Sequence, residues 1–170
     1  MRGTHGGAMD VLSLLRGRLV LPMMQATDKP AALVELVDFL VAKGELDPAQ
    51  RDEVLTAVQA RESIHTTGLG RGLALPHAII GGIEREVAVL GLSRPGVDFH
   101  AYDAEPARVL LLLVTPTSKV YRHSENVRKI VVELTKDRCR ESLVACRSVA
   151  EVLAVLEHDG ACRDGAEEEP

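Results

Sequence analysis

The sequence predicts an α/β sandwich, with helices packed on a mostly covered sheet. Two apolar runs of strand length, Glu86 to Ser93 (EVAVLGLS) and Arg108 to Thr115 (RVLLLLVT), alternate with amphipathic helical stripes. The second run is too continuously apolar to have a wet face. The composition agrees: 46% of the residues are apolar and 26% charged, as in a folded globular chain. Only four residues are aromatic (Phe39, Phe99, Tyr102, Tyr121), so the core must be aliphatic.

Taken in order, residues 1–8 are Gly-rich and aperiodic and read as a loose tail. The fold is expected to start near Met9, with Asp10 capping a short helix from Val11 to Arg16. Thr27-Asp28 before Lys29-Pro30 is a helix start with proline in the first turn. Leu33, Val34, Leu36, Val37, Leu40 and Val41 give that helix a wide apolar stripe, and Gly44 stops it. Asp47-Pro48 starts a second helix through Val54, Leu55 and Val58. After the strands, Val127, Ile130, Val131 and Leu134 fall at i, i+3, i+4 and i+7 of a helix over His123 to Lys136, for which Ser124 is the expected N-cap. Leu143 and Val144 mark a short element, and Val149 to Leu156 a last helix stopped at Asp159-Gly160. No repeat or linker divides residues 9–160, which read as one domain; residues 161–170 read as an acidic tail.

Several function classes are excluded. With 20 Lys and Arg against 25 Asp and Glu, the net charge is −5, the wrong sign for binding a phosphate backbone. Four aromatics make no base-stacking surface, so no nucleic-acid partner is expected. The longest stretch free of Asp, Glu, Lys and Arg is the 12 residues Gly72 to Ile83, too short to cross a bilayer. The N-terminus lacks the apolar segment of a secretory leader. Three cysteines (Cys139, Cys146, Cys162) without a C-x-x-C pair give neither a zinc knuckle nor a disulfide framework, so a reducing cytoplasm is the expected location.

The densest chemical signal is Thr67-Gly-Leu-Gly-Arg-Gly-Leu-Ala-Leu-Pro-His77. It is not a dinucleotide fingerprint, because Leu73 stands where the third glycine is needed, and no Gly-Lys-Ser/Thr of a Walker loop occurs anywhere. No cofactor is expected. Three glycines permit close backbone approach, and Pro76 fixes φ just before the imidazole. His123 follows a buried strand at the opening of a helix, a junction that tends to line a ligand crevice and to favour anions. Arg61 ends the second helix with a guanidinium suited to a phosphoryl group. Read singly, each has a plain structural account: a turn histidine, a capping-region histidine and a solvated helix-end arginine. His65 reads as a bystander, and His5, His100 and His158 carry no role. A zinc site on His65, His77 and His123 lacks any H-E-x-x-H or cysteine support, so no metal is expected.

Together these pieces resemble the EIIA domain of the bacterial phosphotransferase system, of the fructose/mannitol type that includes nitrogen-regulatory EIIA. The family pattern is an Arg-Glu pair, T-x-x-G-x-G-x-A-x-P-H, an apolar strand and a second histidine opening a helix. Here it reads Arg61-Glu62, Thr67 to His77, Val109 to Val114 and His123, with 16 residues from Arg61 to His77 and 46 from there to His123. The resemblance spans about Met9 to Leu156. Arg71 and Ser124 depart from it, in places expected on a partner-facing rim.

The resemblance implies a mixed, about five-stranded sheet with helices on both faces. It implies that His77 accepts a phosphoryl group from phospho-HPr, that His123 is its partner imidazole, and that Arg61 stabilises the phosphoryl group. Thr67, Gly68, Gly70 and Gly72 would form a phosphate loop. Imidazole suits such a relay, being neutral near pH 7 and forming a labile N–P bond. Two roles follow: a phosphotransferase handing the group to a cysteine of an EIIB-type protein in sugar transport, or a regulatory module whose phosphorylation state governs binding to target proteins. The lack of an EIIB-like or membrane EIIC segment tilts the expectation toward the second.

Overall fold

The computed structural model describes residues 11–158 except residue 17; the two expected tails, the Asp10 cap and the Asp159-Gly160 stop lie outside the described residues. Among the described residues six strands form one mixed sheet and six α-helices flank it. The strands are β1 (Val20–Leu21), β2 (Gly68–Gly70), β3 (Leu73–Ala74), β4 (His77–Ile80), β5 (Val87–Val97) and β6 (Ala107–Pro116). The helices are α1 (Val11–Leu15), α2 (Lys29–Ala42), α3 (Arg51–Ile64), α4 (Val120–Leu134), α5 (Asp137–Ala145) and α6 (Val149–His158).

The antiparallel pair β5–β6 is the middle of the sheet, aligned from Val87 opposite Val114 to Leu92 opposite Val109. β1 runs parallel along β5. On the other side, β3 and β4 both run parallel to β6 in one unbroken register, Leu73 opposite Val109 and His77 opposite Leu113. The gap between them falls at Leu75-Pro76. Proline has no N–H to give to a ladder, yet its carbonyl still accepts from Leu113 N at 3.0 Å. The sheet therefore has six strands rather than five because one strand is interrupted by proline.

Two helical layers cover this sheet. α2 and α3 pack on each other and reach β5 and β4, while α1, α4, α5 and α6 pack among themselves and reach β1, β5 and β6. Successive residues Val109 to Pro116 point to alternate faces and all are buried, so both faces are closed. The core is aliphatic, with Phe99 its one fully buried aromatic.

Local signals account for most boundaries. Asp28 caps α2 by accepting from Ala31 N at 2.8 Å, and Gly44 past its end takes φ +70°, a left-handed stop. Asp47 caps a 3-10 turn, Pro48–Gln50, which runs into α3. The expected Ser124 cap is corrected: α4 starts at Val120 behind a 3-10 turn over Thr117–Lys119, and Ser124 lies exposed inside the helix. That turn pre-forms the helical backbone, so no side-chain cap sets the start. His123 consequently stands one turn into α4. Cys139 is fully buried, and Cys146 is a buried free thiol. No described helix is long and apolar enough to cross a membrane.

α2 and the chain before it leave no room for a side chain at Gly91, where an added Cβ would lie 2.4 Å from Met24 Sδ and 2.9 Å from Leu36 Cδ2. Gly91→Val should therefore overpack the core and cost about 1–3 kcal/mol. A lower urea midpoint at unchanged slope checks this.

Candidate functional site

His77 opens β4, half-buried, directly after the proline break. Its Nδ1 lies 2.8 Å from the carbonyl oxygen of Leu75. A carbonyl can only accept, so Nδ1 carries the hydrogen and the neutral ring keeps its lone pair on Nε2. His123 reaches the same place from α4. It is buried, with its ring centroid 5.2 Å from that of His77 and the planes tilted by 46°. Behind it, Nδ1 meets the hydroxyl of Thr115 at 2.8 Å.

Arg61 completes the group from the last turn of α3, its guanidinium donating to the His65 carbonyl at 2.9 Å. Arg61, His77 and His123 line one open depression of about 440 Å³, with Ile64 and Ile79 on its walls. Three residues far apart in sequence are thus brought together. Burial chiefly lowers the pKa of His77; the Leu75 carbonyl and Glu62 oppose this, and the Arg61 charge adds to it. His123 is lowered too, by burial first, then by His77 and Arg61. Two adjoining neutral imidazoles beside a fixed positive charge offer a nucleophilic nitrogen and a place for anionic oxygens.

The four phosphate-loop positions do not line this depression. The segment is a tight hairpin, β2 to β3, followed by chain that runs along the sheet, so Gly72 lies about 16 Å before His77 in extended length. The glycines meet the protein itself. A Cβ on Gly68 would sit 3.0 Å from Phe99 Cβ, and one on Gly70 (φ +81°) 2.8 Å from Tyr102 Cε1. The Gly72 carbonyl accepts from Arg108 N at 2.8 Å and Val109 N at 3.0 Å. Thr67 is buried; its hydroxyl donates to Glu62, and its N–H donates to the same carboxylate at 3.1 Å. Lys29 Nζ pairs with Glu62 at 3.1 Å. Arg71 pairs with Asp137 at the hairpin tip, away from the two imidazoles, and Ser124 stays exposed beside His123.

Residues that sequence reasoning missed stand behind the rings: Thr115, Glu86 and Asn126. Thr115 looked like the end of a buried strand, and Glu86 like the polar start of another. The register of β5 against β6 sets Glu86 beside Thr115, and α4 brings Asn126 to the same carboxylate, so no local pattern could have found them. Among the described residues, no cluster of three or more His, Cys, Asp or Glu side chains is placed to hold a metal ion.

Because both histidines titrate below the ordinary value, the unfolded chain binds more protons than the folded one from about pH 6.5 downward. Stability from these two groups is complete above that pH and declines as pH falls toward the folded values. NMR titration of the ring protons should give midpoints below 6.5 for both rings, and replacing both by Gln should flatten the acid limb of a urea stability profile.

Comparison with known proteins bears on this geometry. Residues 13–159 match the family described as phosphoenolpyruvate-dependent sugar phosphotransferase system, EIIA 2. The fructose-specific EIIA component of Haloferax volcanii is 31% identical over 128 residues, covering 75% of this chain and 82% of that protein. A nitrogen regulatory protein of Pseudomonas aeruginosa is 34% identical over 112 residues, covering 65% of this chain and 71% of that one. Among solved structures, the nitrogen regulatory protein IIA-Ntr of Neisseria meningitidis superposes with TM-score 0.72 at 27% identity, covering 84% of this chain and 99% of that one. This chain belongs to the EIIA type-2 family of the phosphoenolpyruvate-dependent phosphotransferase system.

Proposed function

We propose that this chain is a phosphocarrier that accepts a phosphoryl group from phospho-HPr on His77 and passes it to an EIIB-type acceptor. The pairing of two imidazoles 5.2 Å apart carries this reading, with His77 Nδ1 tied to a carbonyl and Arg61 alongside. The Nε2 lone pair of His77 attacks phosphorus, the N–P bond of the donor breaks, and its electron pair returns to the donor imidazole. Onward transfer runs the other way: an acceptor thiolate forms the S–P bond and the electron pair returns to Nε2. Such transfers demand alignment and charge neutralisation above all. Arg61 supplies fixed charge, and His123, once protonated, supplies a donor to the phosphoryl oxygens.

Similarity to nitrogen regulatory proteins supports a second reading. In it, the phosphorylation state of His77 governs binding to target proteins instead of feeding sugar uptake. Label passed from the phosphorylated chain to a purified fructose-type EIIB favours the carrier role. Label that stays on the chain, with phosphorylation altering the capture of a regulatory target, favours the second.

Incubation with Enzyme I, HPr and labelled phosphoenolpyruvate tests both readings at their common step. The wild-type chain should take up label and His77→Ala none, while His123→Ala should fold normally and be labelled at least about tenfold more slowly. Labelling of the His77→Ala protein would place the acceptor elsewhere.

A further inference from the structure

His123 ends a hydrogen-bond chain that the transfer steps above leave unused. The fully buried Thr115 hydroxyl lies 2.8 Å from His123 Nδ1 and 2.7 Å from Glu86 Oε1. Asn126 Nδ2 donates to the other carboxylate oxygen of Glu86, also at 2.7 Å. A hydroxyl has one hydrogen to give, and a carboxylate only accepts. Thr115 therefore donates to Glu86 and must accept from His123, which fixes the hydrogen of the neutral ring on Nδ1 and leaves the lone pair on Nε2.

We propose that Glu86, acting through the Thr115 hydroxyl, is a positioning residue that sets the tautomer of His123 and supports the ring's positive charge when a phosphoryl group occupies His77. The inference rests on the phosphocarrier reading for its effect on rate, but not for the tautomer itself. When the phosphoryl dianion arrives, Nε2 takes a proton from solvent and keeps it, donating a hydrogen bond to a phosphoryl oxygen. The Nδ1–H stays on Thr115, and the Glu86 carboxylate balances the imidazolium from behind, as an aspartate does behind a triad histidine. The charged and titratable groups facing His123 are His77 from β4, Arg61 from α3 and, through Thr115, Glu86 from the start of β5. Arg61 opposes protonation of the ring, so Glu86 is the group that favours it. Asn126 holds the carboxylate by its second oxygen and keeps the first turned to Thr115.

Removing the carboxylate frees the Thr115 hydrogen to turn and donate to Nδ1, which moves the ring hydrogen to Nε2. Long-range 1H–15N correlation spectra of the full chain at pH 8, where the rings are neutral, read this directly. The wild-type protein and Thr115→Ser should show His123 as the Nδ1–H tautomer. Thr115→Val and Glu86→Ala should shift it to Nε2–H, while His77 stays Nδ1–H throughout. Phosphorylation by phospho-HPr should slow at least about tenfold in Thr115→Val and Glu86→Ala and remain near wild type in Thr115→Ser. Should Thr115→Val fail to fold, Glu86→Ala, at a half-buried position, decides alone. An unchanged His123 tautomer in Glu86→Ala overturns the inference. A wild-type chain that phospho-HPr does not label instead overturns the carrier reading and leaves the tautomer result standing.

Discussion

The site depends on one alignment, the parallel register of β4 on β6 with His77 opposite Leu113. Successive strand residues point to opposite faces, so a slip of one position would send the imidazole to the other side of the sheet. The same register sets His77 beside the end of β6, from which Thr115 projects and the chain turns through Pro116 into α4. One ladder therefore fixes both where the His77 ring stands and where the His123 ring meets it. β6 itself is buried along nearly its whole length.

Given that alignment, the electrostatics of the depression follow from burial. Desolvation disfavours the charged imidazole, and Arg61 disfavours it further. A protonated histidine has no lone pair to offer, so a half-buried setting keeps the nitrogen nucleophilic. The same positive charge would attract an anionic group to the depression.

Much of this was legible in the sequence, and what failed did so for definite reasons. The amphipathic stripe of α4, the apolar strands and the Pro-His pair are local patterns, and local rules read them. The sixth strand is invisible in the sequence because a proline gap can leave a register intact. The start of α4 was misplaced because a 3-10 turn, not a serine side chain, begins it. The glycines have a packing account within the chain itself. A missing Cβ permits close approach by anything, and here the neighbours are Phe99, Ala101 and Tyr102 of the same chain rather than a ligand. Arg61, His77 and His123 each had a plain structural account when read singly, and only their joint match to the family pattern set them apart. Thr115 and Glu86 had no such mark, since a threonine at a strand end and a glutamate at a strand start carry no signal until the strands are paired.

The Glu62 carboxylate has a consequence for an imidazole it never touches. Thr67 and Leu75 face one another across the narrow β2–β3 pairing, and Leu75 N donates to the Thr67 carbonyl at 3.0 Å. In an antiparallel pair of this kind the return bond would run from Thr67 N to Leu75, but Glu62 has taken that N–H. The acceptor so spared is the oxygen on which the His77 ring is anchored. An acid at the end of a helix thus removes one competing donor from the carbonyl on which an imidazole of a strand is anchored.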